Sequence, residues 1–133
     1  MTAYAAFLRG INLGPTNKVA MPALRALAER LGYGDVRTYL NSGNLLFTSA
    51  DPAATLEREL ASALRAEFGR TIDVTVRTRA QLEQILAANP FPDGDPSRVT
   101  VAFLAGPPPP DAGDRIAARA QEHEPFVVAD TEV

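Results

Sequence analysis

Ala5-Ala6-Phe7-Leu8-Arg9-Gly10-Ile11-Asn12-Leu13-Gly14 passes from an apolar strand straight into a loop that carries an arginine, an asparagine and two glycines. Ala3 to Leu8 are apolar on both faces, the pattern of a strand in the middle of a covered sheet. Gly10 and Gly14 bracket the loop, and Pro15-Thr16-Asn17 adds further turn chemistry.

Outward from that stretch, Pro22 to Leu31 reads as a helix with Leu24, Leu27, Ala28 and Leu31 on one stripe and Gly32 at its end. Asp35 to Leu40 and Leu45 to Thr48 read as strands, joined through Asn41-Ser42-Gly43-Asn44 as a three-residue hairpin loop with Gly43 in the left-handed region. Asp51-Pro52 predicts a capped helix start. Leu56, Leu60, Leu64 and Phe68 then recur every turn until Gly69. A fourth strand follows, with Ile72, Val74 and Val76 inward and Asp73, Thr75 and Arg77 outward. The order is βαββαβ, the split βαβ unit of a ferredoxin-like sandwich.

The second half opens with a capping box, Thr78 and Gln81, ahead of a helix through Leu82, Ile85 and Leu86. Val99 to Leu104 predicts a fifth strand, Pro107 to Pro110 a short polyproline link, Asp111 the cap of a last helix, and Pro125 to Ala129 a sixth strand. Ala102-Phe103-Leu104-Ala105-Gly106 echoes Ala6-Phe7-Leu8-Arg9-Gly10, which predicts a duplicated unit. The expected fold is therefore α+β: a ferredoxin-like unit over residues 1–78, then an incomplete second one over 79–133 packed with it as one domain.

Composition narrows the function classes. The 133 residues suffice for one domain, and a formal net charge of -3 argues mildly against a general nucleic-acid binder, which needs basic surface. With no cysteine and one histidine, thiolate metal sites, disulfides and most imidazole chemistry are excluded, and no cofactor is expected. His123, between Glu122 and Glu124, reads as a solvated residue. Glu57, Glu59 and Glu67 with Arg58 and Arg65 read as a solvated helix face. Neither a leader peptide nor a membrane span is expected, so the location implied is cytoplasmic. No catalytic motif is present; Ser42 as a nucleophile lacks a base.

In a ferredoxin-like sheet of order 4-1-3-2, Arg9, Asn12, Lys18, Asn41, Ser42, Gly43, Asn44 and Arg70 come to one rim, beside the start of the first helix. Cations, amides, a hydroxyl and free N–H groups there suit a phosphate or carboxylate. The same residues also have a structural reading, since glycines satisfy turns and Asn41 and Asn44 can bond their own loop. Two other expectations stand beside a small anionic ligand. One is RNA binding on the sheet, with Phe47 as its one aromatic. The other is a homodimer through the apolar Phe126-Val127-Val128 strand.

Phe7 to Gly14, Lys18-Val19, Met21, Leu24-Arg25, Leu31-Gly32-Tyr33 and Thr38 to Asn44 together resemble a bacterial family, domain of unknown function 1697. The likeness is specific over roughly residues 1–50 and looser through Asn89-Pro90-Phe91 and Val99 to Leu104. It implies an α+β fold of two ferredoxin-like units and no particular reaction. It also implies a further ~50 residues of domain-scale structure, with a Tyr-rich strand, a helix and an Arg-Asn-Trp segment, that this sequence does not contain.

Overall fold

The computed structural model describes residues 1–121 and 124–133, so His123 lies outside the described residues. Among the described residues eight elements follow in order: β1 (Thr2–Leu8), α1 (Met21–Arg30), β2 (Gly34–Tyr39), β3 (Asn44–Ser49), α2 (Ala53–Phe68), β4 (Val74–Thr78), α3 (Arg79–Ala87) and α4 (Ala112–Ala117). The fold is α+β, with a four-stranded sheet of order β2-β3-β1-β4 in which every pairing is antiparallel. Phe7 stands opposite Asn44 and Leu8 opposite Val74, so β1 leaves the sheet where β3 and β4 enter it.

Periodicity explains the core. Tyr4, Ala6 and Leu8 of β1, Leu45 and Phe47 of β3 and Val76 of β4 share a buried cluster with Leu24, Leu27 and Ala28 of α1 and Leu56, Leu60 and Leu64 of α2. A strand alternates faces and a helix repeats every 3.6 residues, so these spacings put one apolar face on each element. Each fully buried leucine stabilises the fold by ~1.5–3 kcal/mol. Phe47 stacks between Tyr33 (4.5 Å) and Tyr4 (5.7 Å).

The chain divides into two compact units, Met1–Ala87 and Ala88–Val133. α3 falls in the first, packing on β1 and β4. Its capping box is complete: the Thr78 N–H donates to Gln81 Oε1 at 2.8 Å, and the Gln81 N–H donates to Thr78 Oγ1 at 3.0 Å.

Several expectations are corrected. Neither Val99–Leu104 nor Pro125–Ala129 forms a strand. Ala102 exchanges backbone bonds with Val133 and the Leu104 N–H donates to the Thr131 carbonyl, and the result is one isolated bridge, Phe103 to Glu132. Strand propensity needs neighbours to pair with, and two short segments alone extend no ladder. α2 starts at Ala53 with Pro52 as its N-cap and no side-chain cap bond, so Asp51 lies one position too early to cap it. The hairpin turns through Leu40 to Gly43, with Leu40 itself at φ 61° and Gly43 at φ 94°. Arg77 is buried, with Nη1 3.8 Å from Glu57 Oε1. The acidic face of α2 is structural in part: Glu57 accepts the Val76 N–H at 2.8 Å, and Glu59 accepts the Tyr33 hydroxyl at 3.2 Å.

Candidate functional site

The loop after β1 is a clamped miniature hairpin. The Asn12 N–H donates to the Asn17 carbonyl at 2.9 Å, and Leu13 bridges to Thr16. Asn12 and Asn17 both lie at φ 54°, a conformation that asparagine tolerates better than most residues. The Asn12 side chain copies a backbone amide. Its Nδ2 donates to the Val19 carbonyl at 2.9 Å, while its Oδ1 accepts the Val19 N–H at 2.8 Å.

The second Nδ2 hydrogen of Asn12 reaches the Asn41 carbonyl at 2.7 Å and so ties this loop to the β2–β3 turn. Asn17 makes the remaining links. Its Nδ2 donates to the Gly10 carbonyl at 3.2 Å, and its Oδ1 accepts from Arg70 Nη1 at 2.8 Å. The backbone closes the rim: the Leu8 N–H donates to Gly43 O and the Arg9 N–H to Asp73 O, both at 3.0 Å. Gly43 is required here, since a Cβ would stand 2.7 Å from Ile11 Cδ1 and 2.9 Å from Leu8 Cβ.

These bonds sort the expected residues by role. Both amide hydrogens of Asn12 are taken inside the protein. Asn44 Nδ2 donates to the Tyr39 carbonyl and to Ser42 Oγ, so Ser42 and Asn44 serve their own turn. Arg70 is committed to Asn17. What stays open is a cleft of about 370 Å³ lined by Asn12, Gly14, Lys18, Val19, Ala20 and Asn41. Lys18 is exposed, and among the described residues its ammonium has no hydrogen-bond or ion-pair partner. Arg9 is also exposed and unpaired among the described residues, but it does not line the cleft.

The cleft meets the start of α1, where Ala20 is the N-cap without a side-chain bond and no acidic residue stands in the first turn. The helix dipole adds positive potential there, worth ~0.3–1 kcal/mol toward an anion, although Pro22 in the first turn supplies no N–H. The sequence reading missed Asn17, although two asparagines among glycines signal repeated left-handed backbone. Among the described residues no group of three or more His, Asp or Glu side chains is placed to hold a metal ion, and no helix is long and apolar enough to cross a membrane.

A conserved bacterial protein from Streptococcus pneumoniae is similar to this chain in solved structure, at 33% sequence identity and TM-score 0.69 over 88% of this chain. The chain spans 64% of the length of that protein. None of the curated proteins matches the chain. The sequence model of the family described as protein of unknown function (DUF1697) matches residues 1–133. The chain belongs to the DUF1697 family.

Proposed function

We propose that the first unit is a ferredoxin-like binding module that holds a small phosphate- or carboxylate-bearing anion in the cleft at Lys18. The strand order β2-β3-β1-β4 around two helices supports the ferredoxin-like reading. One observation carries the anion: an unpaired ammonium lines a cleft beside an uncapped helix start, on a loop whose asparagine side chains are spent holding its shape. A preformed cleft loses little entropy on binding. Arg9 contributes through its field, which is screened over ~10 Å at ordinary salt.

Binding is read by amide chemical shifts during titration with inorganic phosphate and acetate. Shifts concentrated at Gly14 to Met21, abolished by Lys18→Gln and only weakened by Arg9→Ala, are the expected result. An unchanged spectrum at high phosphate removes the reading. RNA binding is the weaker alternative. Base stacking needs an aromatic ring on an open sheet face, and Phe47 is 2% exposed in the core. The strand proposed for self-association, Phe126-Val127-Val128, is not formed.

A further inference from the structure

Side chains from two loops line the Lys18 cleft. Lys18 belongs to the loop between β1 and α1, and Asn41 to the turn between β2 and β3. The bond from Asn12 Nδ2 to the Asn41 carbonyl, at 2.7 Å, ties the two loops together through the backbone of Asn41 and leaves its amide uncommitted. Asn41 Oδ1 stands 3.4 Å from Asn12 Nδ2. That contact fixes which way the amide points, because a flipped amide would set two donors face to face. Asn41 Nδ2 is therefore the open end, and among the described residues it donates to nothing.

The lining thus brings an ammonium from one loop and an amide NH2 from the other, and it contains no arginine. A carboxylate is met best by the planar fork of an arginine, which reaches both of its coplanar oxygens from one side. Lysine instead serves phosphate as a point charge, and donors arriving from two loops suit an anion whose oxygens diverge.

We infer that Asn41 Nδ2 is the second anion-binding group of the cleft, and that the ligand head held between it and Lys18 is a tetrahedral oxyanion, a phosphate or sulfate group. This rests on the anion reading above and narrows it from phosphate or carboxylate to the tetrahedral class.

The test is a chemical-shift titration of the whole chain with methanesulfonate and acetate, two methyl-bearing monoanions that differ in head geometry. Methanesulfonate is expected to bind about five-fold more tightly, the worth of one net hydrogen bond, and Asn41→Ala to bring the ratio close to one. Acetate is the more basic anion, so basicity works against this result. Asn41→Ala keeps the carbonyl that accepts from Asn12, and an unchanged urea midpoint accompanies the lost preference. Equal affinities in the parent chain overturn the tetrahedral class and leave the anion reading standing. A preference that survives Asn41→Ala overturns the role of Asn41. Inorganic phosphate and sulfate, titrated in the same way, separate the two sources by which binds more tightly. Failure of all four anions to shift any resonance overturns this inference and the anion reading together.

Discussion

Asn12 and Lys18 belong to the same loop and do different jobs. Asn12 spends its whole amide on Val19 and Asn41, so Asn12→Ala loses three hydrogen bonds and a residue suited to φ 54°. Urea unfolding is expected to show a loss of about 2–3 kcal/mol. Lys18→Gln changes stability by under ~0.5 kcal/mol, as surface substitutions do, and removes the phosphate response. Gly43→Ala meets both a left-handed backbone and the contact with Ile11 and costs about 2–4 kcal/mol by the same measurement. Gly10→Ala, at φ 72° with open space around it, costs about 1 kcal/mol and separates the two causes. Leu40→Gly runs the other way. Relief of ~1–2 kcal/mol of strain exceeds the ~0.5–1 kcal/mol entropic cost of glycine, so a small gain is expected.

At the scale of elements, β4 is an edge strand and two of its outward donors are covered. Glu57 of α2 accepts the Val76 N–H, and Gln81 of α3 accepts the Thr78 N–H. Unpaired edge donors recruit other chains, and these two side chains remove them. Glu57→Ala leaves that N–H and the buried Arg77 without their carboxylate, at a cost of about 1–3 kcal/mol. Glu57→Gln keeps an acceptor and loses less; hydrogen exchange at the Val76 amide distinguishes the two variants. Thr78→Ala breaks the capping box of α3 and costs about 1 kcal/mol. Both capping residues were legible in sequence because a capping box is a local spacing. The role of Glu57 was not, because its partner lies on another element.

Over the whole molecule, every buried hydrophobic residue identified in the core lies between Tyr4 and Val76. A fragment of residues 1–87 is therefore expected to unfold cooperatively in urea, while residues 88–133 alone show no transition. The core also responds to alkali. Burial, then the Glu59 carboxylate, push the Tyr33 hydroxyl well above its ordinary value of 10.0. Above that pH the unfolded chain has released this proton and the folded chain has kept it. Stability is thus fully present below about pH 10 and falls as pH rises beyond it. Urea midpoints measured across the alkaline range should fall less steeply in Tyr33→Phe than in the parent chain.

The sequence by itself determined the elements of the first unit, because helix and strand spacing are local properties that survive in any context. Apolar residues at every fourth position in Leu56, Leu60 and Leu64 leave α2 one face to bury, whatever covers it. Tertiary structure decided which polar residues are free. Arg9, Asn12, Ser42, Asn44 and Arg70 read alike as rim groups, yet Asn12 is consumed by Val19 and Asn41, and Arg70 by Asn17. Lys18 is the cation left lining the cleft, because donors and acceptors are satisfied by neighbours remote in sequence. The same dependence undid the apolar runs at Val99–Leu104 and Pro125–Ala129, which read as strands but found no ladder to join. The stretch from Ala5 to Gly14 holds both lessons. Its strand was legible from a run that is apolar on both faces, and the purpose of its loop only from what that loop touches.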